Sequence, residues 1–396
     1  VTEPHDPVRR AASLYQRHFG VEPRAVATAP GRVNLLGEHT DYNDGWVMPM
    51  AVQFLTAAAV GPGEERWFEV VAETESAPFL SSIDFLKPNP DNGWANYPAG
   101  VVTGLMGSLP APSPLRIAVA GDVPVGAGLS SSAALEVAVA VACAELWKIE
   151  TSPLDIAKIC QTAEHEFAGV PCGLMDQAAS VLGREGQVVM MDCRSLEFEH
   201  YRLPHDHVVL IVDSCLPRRL SDSAYQERRQ QCQDGVEALE ALSDTPLAAL
   251  RDVDIEMFAR YSEQLDPVVA ARCRHVVTEN TRVIDGREAL ADGDAKSFGR
   301  LMTASHESLR DDYGVSVAAL DTLVDLALVQ PGCLGARLTG AGFGGCIIAL
   351  MEKDSAERAA EAVLAGYLEA RGIEGRHWIA SPSDGATVVT ETPKTD

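Results

Sequence analysis

Between Ser130 and Trp147 the chain runs almost entirely through small and apolar residues, SSSAALEVAVAVACAELW. A helix of that composition has no polar face to give to water, so it must be buried on most sides. The rest of the chain has to supply the layers that cover it. With 396 residues, 46% hydrophobic and 22% charged, it has enough material for two or three ordinary domains and a real core. Directly before the helix stands Val123-Pro-Val-Gly-Ala-Gly-Leu-Ser-Ser-Ser-Ala-Ala134. Gly126 and Gly128 let the backbone turn tightly and come close to a ligand. Ser130, Ser131 and Ser132 lie at the helix N-terminus, where free N–H groups and the macrodipole favour an anion, although serines there also serve as plain caps. The run is neither a dinucleotide fingerprint nor a Walker A loop: Ser131 replaces the third fingerprint glycine, and no GK[ST] follows.

Net charge sharpens that reading. At -25 the surface repels phosphate backbones, which excludes non-specific nucleic-acid binding. A phosphate site on such a chain must be local, built from N–H groups, a helix N-terminus, a metal or a few placed cations. No run of eighteen apolar residues suggests a membrane span, and Val1 to Arg10 lacks the apolar region of a signal peptide. Cytoplasmic residence and a monomeric state are the expectations. Nine cysteines without a CxxC pair suggest reduced thiols used as small core residues, and their spacings do not suit zinc.

Val208 to Val212 and Cys346 to Leu350 are apolar strand candidates. A helix is expected from Ser152, with Ser152 as cap, Pro153 in the first turn and Asp155 at capping-box spacing. Ile156, Cys160, Ala163 and Phe167 share one face of it. Arg218 to Leu242 is expected to form a charged helix or helical hairpin, and Gly107 to Pro114 a loop. Few clean βαβ units are visible, so the fold class expected is α+β. A break near residue 205 divides the chain into 1–205 and 206–396.

Three more segments carry chemistry. Ala29-Pro-Gly-Arg-Val-Asn-Leu-Leu-Gly-Glu-His-Thr-Asp-Tyr-Asn-Asp-Gly45 packs Arg32, Glu38, His39 and Asp41 between apolar stretches. An ordinary turn needs no such set, whereas sugar hydroxyls, each a donor and an acceptor, pair naturally with carboxylates and imidazoles. In Glu164-His-Glu-Phe-Ala-Gly-Val-Pro-Cys-Gly-Leu-Met-Asp-Gln177, Gly169, Pro171 and Gly173 break the helix and place Asp176 just beyond it. Glu164, near that helix end, is unfavourable to the dipole and would gain from a cation such as Mg²⁺, but the residues alone favour a solvated face for it and an ordinary surface or core place for His165. Gly335-Ala-Arg-Leu-Thr-Gly-Ala-Gly-Phe-Gly-Gly345 precedes a strand, the reverse of a dinucleotide loop, and is either a ligand-approaching loop or a hairpin turn.

Together these segments resemble the GHMP kinase superfamily and, within it, the galactokinase family. GRVNLLGEHTDYNDG is similar to the galactokinase signature, PVGAGLSSSAA to the ATP-phosphate motif and GARLTGAGFGGC to the third motif. GVPCGLMDQ, SDSAYQERRQQC, RHVVTEN and SHESLRDDYGVS also match, so the similarity spans Ala29 to Cys346. The resemblance implies a two-domain α+β kinase, with its active site in the cleft between domains, that phosphorylates galactose on its C1 hydroxyl with ATP and Mg²⁺. It implies Arg32 and Asp176 as the catalytic pair, and Glu38, His39, Asp41, Gly173, Asp176 and Tyr225 as galactose contacts. It implies Ser132 and Glu164 as Mg²⁺ ligands, and an ATP cradle of Pro124, Gly126, Ala127, Gly128, Leu129, Ser130, Ser131 and Ser132. An Arg beside Asp176 keeps the carboxylate ionised but weakly basic, so Asp176 is expected mainly to position the sugar hydroxyl, with late proton transfer.

Two positions depart from the family pattern. Ala178 stands where a large apolar residue is usual, and Pro217-Arg-Arg-Leu220 replaces a basic-His-Ser-Leu stretch. Both bear on which sugar is taken. N-acetylgalactosamine and L-arabinose kinases, and a non-catalytic galactose-responsive regulator, are the alternatives. A smaller Ala178 side chain is expected either to widen the sugar pocket or to be plain packing.

Overall fold

The computed structural model describes residues 6–111, 113–216 and 221–390. Among them thirteen strands form: β1 Ala25–Asn34, β2 Trp46–Val47, β3 Pro49–Pro62, β4 Trp67–Ala72, β5 Phe79–Ser82, β6 Leu115–Gly121, β7 Gln187–Asp192, β8 Phe198–Arg202, β9 His207–Asp213, β10 Cys333–Leu338, β11 Cys346–Glu352, β12 Arg376–Ala380 and β13 Thr387–Val388. The largest sheet has the order β13-β1-β3-β6-β4-β5, the next β10-β11-β9-β12, and the smallest β2-β7-β8. Helices and sheets are mixed, and most strand pairs are antiparallel, with β4–β6 parallel. This is the α+β class expected.

The apolar segment forms the helix Ser131–Trp147, and from Ala133 to Ala144 nearly every side chain is buried, Glu136 included. It packs across β1 and β3, so its N-terminus points to the place where β1 ends. The second helix runs from Pro153 to Ala163, with Ser152 accepting from the Asp155 N–H as its cap. Ile156, Cys160 and Ala163 are buried, and Phe167 packs against the same core. The strands at Val208 and Cys346 are central neighbours, β9 and β11, paired from Cys346↔Asp213 to Glu352↔His207.

Of the two forms expected for the charged segment, one continuous helix is found, Ser221–Ser243; Pro217 to Leu220 lie outside the described residues. The Pro153 helix is broken at Gly169, as expected, after a wider π-turn, Glu164–Ala168, with Gly169 in a left-handed conformation (φ 73°).

One apolar cluster joins early and late segments of the chain. It contains Val33 and Leu35 from the first strand and its exit, Ile211 from β9, Val283 and Phe298 from helices, Ile348 from β11 and Ala380 from β12. The short β13 crosses back to pair antiparallel with β1, Ala27↔Val388 and Thr28↔Thr387.

Candidate active site

The four motif segments converge on one cavity of about 460 Å³, an ordinary size for a small-ligand site. Arg32, Glu38, His39 and Asp41 line it from the β1 end and the turn after it; Gly126, Gly128 and Ser130–Ser132 from the helix N-terminus; Glu164, Gly173 and Asp176 from the third segment; Tyr225, Gly340 and Ala341 from the C-terminal half. Among the residues named from sequence, Pro124, Ala127 and Leu129 do not line it: Ala127 and Leu129 are buried beneath the loop. They shape the loop instead, as Leu129 accepts a backbone bond from Arg32 at 3.0 Å.

At the centre, Arg32 grips Asp176 with two parallel bonds, Nε to Oδ1 at 2.8 Å and Nη2 to Oδ2 at 2.6 Å. Such a fork fixes both side chains in one plane. Arg32 Nη1 donates to the Gly128 carbonyl at 2.8 Å, tying the pair to the glycine loop. Ser130 Oγ donates to Asp176 Oδ2 at 2.5 Å. Burial works against the Arg32 charge, but Asp176, then Glu38 and Asp41, outweigh it and hold its pKa above the ordinary value. Asp176 lies just beyond the helix that Gly169 breaks, as expected. It stands in the first turn of a new helix, Met175–Leu182, which presents it to the cavity and turns Gln177 inward.

The loop before the long helix is shaped for an anion. Gly126, Gly128 and Ser130 all have positive φ (77°, 83° and 57°), which brings successive N–H groups round to one side. The helix adds its own unsatisfied N–H groups at Ser131 and Ser132. Ser132 Oγ lies 3.4 Å from Glu164 Oε1. Glu164 is 6% exposed, so the solvated-face reading is corrected: it follows buried Ala157 and Cys160 by seven and four residues, on the same face of the helix. Its bonds come from Ser132, Cys172 and Gln177, none of them a cation. Burial first, then nearby Asp176, pushes the Glu164 carboxyl up to about 7. A buried carboxylate and a hydroxyl at an anion-binding helix end form an oxygen donor set that fits Mg²⁺ shared with phosphates. His165 is exposed and bonds the Cys172 carbonyl at 2.7 Å, a structural place.

On the other side lies a polar and aromatic wall. Glu38 is held by Arg337 Nη2 at 2.7 Å, and burial lifts its carboxyl to about 7 despite Arg337 and Arg32. His39 is buried, pushed down to about 3 by burial and by His275, and so neutral; its Nδ1 bonds Tyr42 Oη at 2.7 Å. Tyr225 packs beside both, with ring centroids 5.8 Å from His39 and 5.3 Å from Tyr42. Asp41 faces Gly173 so closely that a Cβ there would overlap its carboxylate. Burial, then Asp176, raises the Asp41 carboxyl to about 6.

Behind this wall is a network that the sequence pattern did not reveal. Glu279, fully buried, accepts from the Gly37 N–H at 2.8 Å, Ser305 Oγ at 2.7 Å and Arg282 Nε at 2.6 Å, and lies 3.7 Å from Arg337. Burial opposes its charge, but Arg282 and Arg337 hold it well below the carboxylate range. The RHVVTEN and SHESLRDDY stretches therefore act from behind the site, fixing the turn that carries Glu38 and His39. Arg337, the one charge in GARLTG, was the available signal. The Gly-rich fourth segment is at once a hairpin turn and a ligand-approaching loop: it joins antiparallel β10 and β11, and its Gly340 and Ala341 line the cavity. Ala178 does not line the cavity. It is 1% exposed and packed among Val47, Leu174, Leu182, Val189 and Met191, so the pocket-widening reading is corrected to packing.

Three family descriptions match the chain: the galactokinase galactose-binding signature over residues 13–62, the GHMP kinases N terminal domain over 96–184 and the GHMP kinases C terminal over 287–369. A galactokinase from Roseiflexus sp. (strain RS-1) is 42% identical over 380 residues, covering 96% of this chain and 97% of that protein. The chain belongs to the galactokinase family. A galactokinase from Haemophilus influenzae is 41% identical across 97% of this chain and all of its own length. Among solved structures, Lactococcus lactis galactokinase complexed with galactose superposes with a TM-score of 0.90 at 31% identity, covering 95% of this chain and 98% of its own. Methanococcus jannaschii mevalonate kinase, at 19% identity and a TM-score of 0.65, shares the fold. As a member of the galactokinase family the chain is a sugar kinase with the two-domain GHMP architecture, and no helix among its described residues is long and apolar enough to cross a membrane.

Proposed function

We propose that this chain transfers the γ-phosphate of ATP to the C1 hydroxyl of D-galactose, giving galactose 1-phosphate and ADP. The observation that carries the reading is the Arg32–Asp176 fork, set between the anion-binding loop and the polar wall of Glu38, His39, Asp41 and Tyr225. Galactose binding by the Lactococcus lactis relative supports the same sugar. Residues 1–205 and 206–396 are taken as the two domains; the first supplies most of the cavity lining and the second adds Tyr225, Gly340 and Ala341.

The loop Pro124–Ser132 and the helix N-terminus would hold the triphosphate through N–H groups. Ser132 and Glu164 would hold Mg²⁺, which when bound neutralises charge on the phosphate oxygens. Asp176, fixed by Arg32 and Ser130, accepts a hydrogen bond from the C1 hydroxyl and orients its oxygen toward the phosphorus. As the new O–P bond forms and the bond to ADP breaks, the hydroxyl proton passes to Asp176 late, and Arg32 stabilises charge on the transferring group. Glu38, His39, Asp41, Gly173 and Tyr225 form the sugar wall; neutral His39 offers one donor or acceptor without repelling Arg32.

Product analysis after incubation with ATP, Mg²⁺ and a panel of hexoses tests the reading. Galactose 1-phosphate as the main product is expected. Phosphate at C6, or no turnover of any hexose, would overturn it. Preferential turnover of N-acetylgalactosamine or L-arabinose would replace the sugar while keeping the reaction.

A further inference from the structure

The helix Ser131–Trp147 buries one carboxylate in an otherwise small and apolar interior: Glu136 is 0% exposed. Apolar packing gives no reason for it, because a carboxyl is costly to bury without hydrogen-bond partners. Its one bond is from Gln177 Nε2 to Oε2 at 3.2 Å, and its Oε1 has no partner among the described residues. The same Gln177 nitrogen donates to Glu164 Oε2 at 2.6 Å. Gln177 is itself 0% exposed, and its Oε1 is also without a partner among the described residues. The amide is oriented with its nitrogen toward both carboxyl groups. One –NH₂ group thus bridges two carboxyl groups, with a longer contact to Cys172 Sγ at 3.9 Å.

Gln177 follows Asp176 in the first turn of the Met175–Leu182 helix. One residue faces the cavity and the other faces the back of Glu164. We infer that Gln177 is a positioning residue for phosphoryl transfer, anchored on Glu136, that fixes the Glu164 carboxylate against Ser132 and so sets the metal side of the site in register with Asp176. The inference rests on Glu164 and Ser132 being the Mg²⁺ ligands. It also accounts for the buried Glu136, since without a second acceptor the Gln177 amide could rotate and the short bond to Glu164 would lose its direction. Partners behind a metal ligand typically change metal affinity by about 10–100-fold when removed.

The test uses Gln177→Met, which keeps length and flexibility but deletes the amide. The readouts are the Mg²⁺ concentration for half-maximal activity, calorimetric binding of ADP with and without Mg²⁺, and calorimetric binding of galactose. Gln177→Met is expected to raise the Mg²⁺ requirement about tenfold, to abolish most of the Mg²⁺-dependent gain in ADP affinity, and to leave galactose affinity within about twofold. Glu136→Gln keeps an acceptor oxygen and is expected to stay near wild type in all three, whereas Glu136→Leu should move in the direction of Gln177→Met. Should Gln177→Met fail to fold, the Glu136 pair decides alone. Glu164→Gln is run in parallel. If it shifts the Mg²⁺ requirement while Gln177→Met and Glu136→Leu do not, the positioning role is overturned and the metal site stands. If Glu164→Gln leaves the Mg²⁺ dependence unchanged, the metal assignment itself falls.

Discussion

Replacing Gly173 by alanine isolates the contribution of Asp41 without touching it. An added Cβ would overlap the Asp41 carboxylate and lie 2.9 Å from the Asp41 Cβ. Gly173 does not need glycine for its backbone, since it is absent from the positive-φ residues, so the change acts through contact and not through strain. The Asp41 carboxylate must retreat by roughly one and a half ångströms to reach ordinary van der Waals separation. That is enough to break one hydrogen bond from a sugar hydroxyl to a carboxylate, worth about 1.5–3 kcal/mol. At about 1.36 kcal/mol per decade, kcat/KM for galactose should fall about 10- to 150-fold. The KM for ATP should stay within about twofold, because the phosphate loop is on the far side of Arg32. Steady-state kinetics on Gly173→Ala, Asp41→Ala and the double variant provide the assay. If Gly173 acts through Asp41, the double variant is no worse than Asp41→Ala alone. Fully additive losses, or a Gly173→Ala enzyme with unchanged kcat/KM, would refute the reasoning.

Asp176→Asn keeps the side-chain shape but replaces one acceptor oxygen of the Arg32 fork with a donor; kcat should fall by about two to four orders of magnitude while calorimetry still detects galactose binding. Ala178→Phe inserts a ring into a filled apolar cluster, so it should lower the melting temperature, at a cost of about 1–3 kcal/mol, and leave the ratio of kcat/KM between galactose and 2-deoxygalactose unchanged. Asp41, raised to about 6 by burial and by Asp176, should make galactose affinity rise as pH increases through that value, with Asp41→Asn flattening the profile. The same group binds its proton more tightly in the folded than in the unfolded chain. Its contribution to folding stability is therefore largest at low pH and declines from the ordinary carboxylate range up to about 6, opposite in sign to the binding trend.

Local pattern was enough to place the buried helix, the Ser152 cap, and the strands at Val208 and Cys346, because each depends on residues close together in the chain. The motif segments were legible for the same reason, and the cavity gathers them. What pattern could not show was the environment of single polar residues. The charge of Glu164 and its place near a helix end argue for a solvated face; its spacing, four residues after buried Cys160 and seven after buried Ala157, places it on the inner face, where Gln177 reaches it from the next helix. The sequence leaves Ala178 open between a pocket wall and packing; two positions past Asp176 in a helix, it points to another side. The Glu279 network joins residues more than two hundred positions apart, Gly37 to Glu279 and Glu38 to Arg337. No periodicity records such a contact. The weak trace was a lone charge inside an apolar or glycine-rich run, as with Glu136 and Arg337.

The return of β13 to β1 has a consequence for how the enzyme is made. The strand that carries Arg32 at its far end is an interior strand only after residues 387–388 have been added to its other edge. A ribosome that has completed the nucleotide loop must still synthesise about two hundred and fifty residues, on the order of 10–50 s at ordinary elongation rates, before that edge can close. Until then the nascent first sheet presents unpaired N–H and C=O groups beside Ala27 and Thr28 and invites pairing with the wrong strand. A ribosome that stalls before residue 387 would release a chain with the whole candidate site and an open sheet, and its fate would be aggregation before inactivity.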